Sequence, residues 1–240
     1  MTENSTPPPT DPADKTASLG VSISSNSMIL GLFALLCTAI IAGTYLGTED
    51  NIIEQQRQAQ LKALYQIVPK DQHDNDLLQD NMPFETEALG HRKSQTLFLA
   101  RKEQLGKQQP LTVIYPVTAR DGYSGDIDFI IGINIKDNSI AGVRVISHKE
   151  TPGLGDKVDL RKSNWILDFN GHRLGDPDSE GWTVKKDGGI FDGFTGATIT
   201  PRAVIVAIAN TLRYHHKNID SLLQQFDTKT EPSHLIQQKS

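Results

Sequence analysis

Apolar and polar residues are spread unevenly along the chain, and the period of their spacing changes from one stretch to the next. Met28–Leu46 (MILGLFALLCTAIIAGTYL) is a run of 19 residues with no charge and no polar stripe. A helix of that length, rising ~1.5 Å per residue, matches a hydrocarbon core about 30 Å thick. A soluble helix would keep one polar face. A cleavable signal peptide would carry a basic leader, a shorter apolar stretch and a closing A-x-A site. Lys15 is the only basic residue before the run and no A-x-A follows it. The run therefore reads as a retained single-span anchor.

Beyond it, Ile52, Ile53, Ala59, Ala63, Leu64 and Ile67 fall near helical spacing, which predicts a helix over Glu49–Val68, ended by Pro69. Residues 70–95 are polar and irregular. From Thr96 the period drops to two. TLFLA, LTVIYPV, DIDFIIGINI and SIAGVRVISH follow in series, divided by the turn signals GKQQP, DGYSG and KDNS. In DIDFIIGINI, Ile127, Phe129, Ile131, Ile133 and Ile135 alternate with Asp126, Asp128, Gly132 and Asn134, as one buried sheet face requires. After Pro201 the helical period returns through Ala203, Val204, Ala207, Ile208, Thr211 and Leu212. Consecutive strands joined by short turns imply an antiparallel sheet, and helices on either side of them imply an α+β fold. The expected divisions are a disordered tail over 1–27, rich in Pro, Ser and Thr, and a transmembrane helix over 28–46. A helical and irregular connector over 47–95, a functional domain over 96–226 and a flexible tail over 227–240 complete the chain.

Composition adds little to this and excludes some functions. The chain has 24 basic and 29 acidic residues among 240, a net charge of −5. That divides into −2 for residues 1–27 and −3 for residues 47–240, so there is no electrostatic case for binding nucleic acid. Lys15 before the span against Arg57 and Lys62 after it leaves the orientation open. The single cysteine, Cys37, lies inside the span, so the large domain has no disulfide.

Two glycine-rich segments do not behave as core. In HKETPGLGDKV (148–158), a proline and two glycines between Thr151 and Asp156 make a turn where backbone can approach a ligand closely. A plain connection after the last strand fits equally well. Glu150 and Asp156, set across that turn, read as solvated carboxylates, and no metal is expected. In KKDGGIFDGFTGATITPR (185–202), four glycines deny regular structure until a helix begins, with Thr200 as its N-cap and Pro201 as its first residue. Thr195 and Thr198 then stand just ahead of a helix N-terminus, where free N–H groups and the macrodipole favour a phosphate. Lys185 and Lys186 either add charge there or form a solvated pair. The absence of Gly-Lys-Ser/Thr excludes a Walker A loop. His215 and His216 read as partners of the last helix's C-terminal dipole. With no Ser-His-Asp arrangement and no cysteine nucleophile, no catalytic side chain is expected.

The heptapeptide DGFTGAT, Asp192–Thr198, matches the D-x-x-[ST]-G-A-T signature of the membrane-bound FMN-binding domain family. Together with DGYSG at 121–125, ETPGLGDK at 150–157 and WTVKKDGG at 182–189, its order and spacing resemble the G component of the ion-translocating Rnf (or Rsx) electron transport complex. The resemblance runs from the span through Leu212. It implies an FMN joined to Thr198 by a phosphoester bond, attached by a separate flavin transferase that reads Asp192, Thr195, Gly196, Ala197 and Thr198. It implies that Glu150, Thr151, Gly153, Leu154 and Gly155, with Lys186, Thr195, Gly196 and Ala197, line the cofactor. It also implies a single-pass protein of the bacterial inner membrane, with a cytoplasmic tail, a periplasmic FMN-binding domain over 96–226 and other subunits of a membrane complex as partners. Electrons in that family pass between ferredoxin and NAD, coupled to ion movement, and some relatives keep a redox regulator reduced. Two other readings stay open. The C component of the sodium-translocating NADH:quinone reductase shares the TGAT-type motif, and a cofactor-free assembly protein of the membrane would use TGAT merely as a helix entrance.

Overall fold

The computed structural model describes the backbone of residues 12–230 and the side chains from Ser27 onward, those of residues 46, 48–53, 56 and 230 excepted. It divides into two units, Met1–Arg57 and Gln58–Ser240. Helix α1, Pro12–Ile67, passes through the division. In the first unit α1 holds the candidate span Ser27–Tyr45, whose large apolar side chains are exposed. Thr38 and Thr44 fold their hydroxyls back onto the Ala34 and Ile40 carbonyls at 2.8 and 2.9 Å, so neither is left bare in apolar surroundings. Residues 12–27, expected as part of a disordered tail, belong to this helix. Residues 1–11 lie outside the described residues.

The second unit is α+β. Five strands, β1 (Asn81–Phe84), β2 (Gln95–Gln104), β3 (Lys107–Gly122), β4 (Gly125–Asn134) and β5 (Ile140–Ser147), form one antiparallel sheet in chain order. The turn between β2 and β3 falls at Leu105 and Gly106, both with positive φ, so KQQP, expected as turn, is strand. Helix α2, Ile199–Thr230, covers one face. The alternation in β4 points Ile127, Phe129, Ile131 and Ile133 at it, all buried, to meet Val204, Ile205, Ile208 and Leu212.

The other face is not solvated, as simple alternation implied. Phe98, Ile114 and Ile130 are buried there under Leu64, Ile67 and Val68, contributed by the end of α1 and the residue after it. Gly132 pairs with Gly142 across β4 and β5, and the pair makes a trough for the last turn of α1. A Cβ at Gly132 would lie 2.3 Å from Ile67 Cγ2, and one at Gly142 would lie 3.5 Å from the Ile67 Cα. Arg144 closes the trough by donating to the Gln66 carbonyl at 3.0 Å and to its Oε1 at 3.1 Å. A cation on the last carbonyls of a helix is favoured by both hydrogen bonding and the macrodipole. β1 also lies inside the stretch expected as connector, and α2 runs into the expected C-terminal tail as far as Thr230. Residues 231–240 lie outside the described residues.

His215 departs furthest from expectation. It sits within α2, not at its end, and is buried against β3. Its Nδ1 accepts from the Tyr115 hydroxyl at 2.9 Å, and its Nε2 donates to Asn138 Oδ1 at 3.0 Å, so the ring is held neutral. Burial, with the neighbouring His216 charge adding to it, pushes the imidazole down to about 4. An unfolded chain, whose histidine titrates near 6.5, binds a proton that the native state refuses between those values. The stabilising contribution is therefore complete above pH 6.5 and lost as pH falls toward 4, by up to roughly 3 kcal/mol. Urea unfolding from pH 7 to 4 should show that loss, and a flatter profile in His215→Gln; an equally steep profile in the variant would exclude His215 as its source.

Candidate functional site

β5 hands the chain to a loop, His148–Leu154, and a short 3-10 turn at Gly155–Val158. Glu150 is buried in this loop although it is a carboxylate. Burying that charge is tolerable only if donors meet it. They come from two distant stretches. The Ser124 N–H, in the two-residue turn between β3 and β4, reaches Oε1 at 2.9 Å. The Thr200 hydroxyl, in the first turn of α2, donates to Oε2 at 2.6 Å. Two glycines make room. A Cβ at Gly122 would lie 3.0 Å from Oε1, and one at Gly155 2.5 Å from Oε2 and 2.9 Å from Thr200 Oγ1. DGYSG, ETPGLGDK and the TITP helix entrance thus converge on one carboxylate.

Glu150 is therefore a clasp whose oxygens are both engaged, and the N-cap role expected of Thr200 is corrected: its hydroxyl is spent on Glu150. Removing the carboxylate by Glu150→Ala would strand the buried Thr200 hydroxyl, while the Ser124 N–H turns to solvent. A loss of about 2 kcal/mol is expected in urea unfolding, and an unchanged midpoint would show that the clasp carries no stability.

Because α2 begins at Ile199, Thr198 and not Thr200 is the residue immediately before the helix. Pro201 falls within the first turn, where its missing N–H costs no intrahelical bond. Thr198 is half-buried, Thr195 and Gly196 are exposed, and Ala197 is half-buried. The turn is closed by the Ala197 N–H donating to the Phe194 carbonyl at 3.1 Å. Gly196 takes φ +81°, a left-handed conformation that a side chain would strain. The open side of Gly196 leaves Leu154 beside it, 3.4 Å from where a Cβ would be. The structure thus brings the ETPGLG and TGAT segments together. Within the first of them, the Leu154, Gly155 and Asp156 N–H groups all turn in to the Thr151 carbonyl, at 3.1, 3.2 and 3.4 Å, and the Gly153 N–H reaches Asp156 Oδ1 at 2.8 Å. Asp156 is buried rather than solvated.

The WTVKKDGG block borders the same loop. Lys185 Nζ lies 2.7 Å from Asp192 Oδ1, and its backbone N–H donates to the Phe191 carbonyl at 2.7 Å. Asp187 receives the Arg202 guanidinium through two bonds, at 2.5 and 2.8 Å, which holds its carboxyl below the usual carboxylate range. Lys186 is exposed. Trp165, in the 3-10 segment Asn164–Phe169, donates its indole N–H to the Asp192 carbonyl at 2.7 Å. Sequence reasoning overlooked Trp165, Thr200 and Arg202 as site residues. Trp165 lies outside the four motif blocks and carried no signal of its own, and none connected Glu150 to Thr200 across fifty positions.

The donor set suits an FMN phosphate and ring. A hydroxyl stands at the entrance of a 32-residue helix, the free N–H groups of the helix start favour phosphate oxygens, and the exposed flanks of Leu154 and Ile199 offer apolar surface. Among the described residues no group of three or more His, Cys, Asp or Glu could hold a metal ion.

Residues 122–213 match the FMN-binding domain family, and residues 18–67 match the family described as the RnfG N-terminal region. The chain is 43% identical over 201 residues to the G component of the ion-translocating oxidoreductase complex of Pseudoalteromonas atlantica, covering 83% of this chain and 91% of that one. It is 44% identical over 194 residues to the same component of the Shewanella baltica complex, covering 80% and 89%. A crystal structure of Shewanella oneidensis NqrC overlaps 54% of this chain and 61% of its own, with 25% identity and a TM-score of 0.38.

Proposed function

The chain belongs to the family of G components of ion-translocating oxidoreductase complexes, and on that premise we propose that it relays electrons through an FMN esterified by its phosphate to Thr198. The observation that carries this reading is the position of Thr198. Its hydroxyl stands at the entrance of α2, in an exposed turn of sequence DGFTGAT, next to the ETPGLG loop. FMN supplies the one- and two-electron redox chemistry when bound. The chain's own residues do the rest. Thr198 holds the phosphate and the first turn of α2 places N–H groups toward it. Gly196 and Gly153 let backbone approach, Leu154 gives an apolar surface, and Glu150 fixes the start of α2 against the β3–β4 turn. Thr151, Gly155 and Ala197 shape the loops, and Lys186 adds a positive charge at the rim.

Asp192, Thr195, Gly196, Ala197 and Thr198 are the residues a flavin transferase would read. A tethered cofactor cannot diffuse away, which suits a domain held outside the cytosol, so the large domain is assigned to the periplasmic side of the inner membrane and the N-terminal tail to the cytoplasm. The chain has no turnover of its own in this reading. It passes electrons to and from other subunits of the complex, between ferredoxin and NAD or toward a redox regulator. The RnfG N-terminal match and the relatives from ion-translocating oxidoreductase complexes favour this over the C component of the quinone reductase.

The test is production of the full chain with and without a flavin transferase. A yellow-green fluorescent band in a denaturing gel, and a mass gain of one FMN less one water, are expected only with the transferase. A chain that stays colourless with an active transferase would return the cofactor-free reading.

A further inference from the structure

The chain has two tryptophans, and both are buried in the aromatic cluster beneath the DGFTGAT turn. Trp165 packs edge to face on Phe194, with ring centroids 4.9 Å apart, and on Phe169, at 5.0 Å. Phe169 stacks on Phe191 at 4.5 Å, and Phe191 meets Trp182 at 5.4 Å. The two indoles differ in one respect. The Trp165 N–H is bonded to the Asp192 carbonyl at 2.7 Å, whereas the buried Trp182 N–H has no partner among the described residues. Trp165 therefore touches the incoming arm of the turn twice, by hydrogen bond at residue 192 and by ring contact at residue 194. Residues 195 and 196, immediately beyond, are exposed and carry no such grip.

We propose that Trp165 is the positioning residue of the attachment turn, fixing Asp192 and Phe194 so that Thr198 presents its flavin in one orientation. The assignment rests on the flavin reading above and acts through the loop, since Trp165 itself is buried behind it. An indole suits the task because it joins a donor to a rigid ring. Phenylalanine keeps the ring and loses the donor. A carbonyl without its donor is free to turn, and the Phe194–Ala197 turn that follows it then opens more often.

Trp182 is the internal control, an equally buried indole in the same cluster whose N–H holds nothing among the described residues. Two readouts are taken on the full-length protein. In the protein made without transferase, amide hydrogen exchange at Ala197 should quicken about five-fold in Trp165→Phe, the factor that one ordinary hydrogen bond carries. Trp182→Phe should leave it unchanged. In the protein made with transferase, the anisotropy of flavin emission should fall in Trp165→Phe and hold in Trp182→Phe, with the far-ultraviolet spectrum and thermal midpoint of both variants near the parent's. Matching exchange and anisotropy in the two variants would overturn the assignment. Wild-type protein lacking covalent flavin would instead refute the attachment reading, while the exchange experiment would still decide whether Trp165 holds the turn.

Discussion

Thr198→Ala is expected to yield a folded, membrane-inserted protein with no covalent flavin at all. The substitution removes the single oxygen to which the phosphate is proposed to be joined, and no partial activity can replace a missing bond. Its structural cost is small, because Thr198 is half-buried and precedes α2. Loss of a threonine at that position of a helix costs about 1 kcal/mol. The denaturing-gel band should vanish, the mass should equal the unmodified chain, and the protein should remain in the membrane fraction. Thr198→Ser restores an oxygen at the same place and is expected to recover fluorescence in part. A band that persists in Thr198→Ala would move the attachment elsewhere, with exposed Thr195 the first alternative to examine.

The second large effect concerns where the folded domain starts. A fragment beginning at Gln58 should be soluble and unfold cooperatively in urea, whereas one beginning at Lys70 should not hold a stable fold. The shorter fragment lacks Leu64, Ile67 and Val68, all buried against Phe98, Ile114 and Ile130. At ~1.5–3 kcal/mol for each fully buried aliphatic side chain, the loss is roughly 5–9 kcal/mol. A domain of this size has a total stability of about 5–15 kcal/mol. It would also expose the Gly132–Gly142 trough and leave Arg144 without the Gln66 carbonyl. Gly132→Val tests the same packing in the intact chain, since its Cβ would collide with Ile67. Equal urea midpoints for the two fragments would show that the helix end is dispensable.

That boundary marks the limit of what periodicity reveals. The strands of β4 and the stripe of α2 were legible because each buries a full face, and alternation or helical spacing records it directly. The second covered face left its trace in Phe98, Ile114 and Ile130, which break strict alternation, and in Gly132, but none of these says what lies on that face. β1 is four residues, Asn-Met-Pro-Phe, too short for alternation to register; it exists because Met82 and Phe84 are buried once it pairs with β2. The helix entrance was misplaced by its own strongest signal. Thr200-Pro201 resembles a cap followed by a first helical residue, yet Glu150 competes for the Thr200 hydroxyl and the helix begins earlier. His215 beside His216 looked like a charged helix end because nothing local indicates that Tyr115, a hundred positions away, supplies a partner. At the candidate site, the motif residues could be named from the sequence. The contacts that seat them could not, because Glu150–Thr200 and Trp165–Asp192 each join a loop residue to a helical segment far away in the chain, and no local period records such a pairing.

The Glu150 clasp bears on transplantation. Asp192–Thr198 is a contiguous heptapeptide, short enough to be fused to any protein. A graft would carry the threonine but leave behind the carboxylate, the two glycines that admit it and the indole that steadies the arm. Such a fusion could be labelled with flavin, yet the dye would tumble on its tether at a varying distance from any redox partner. Only the whole domain would convert a tag into a fixed station along an electron path.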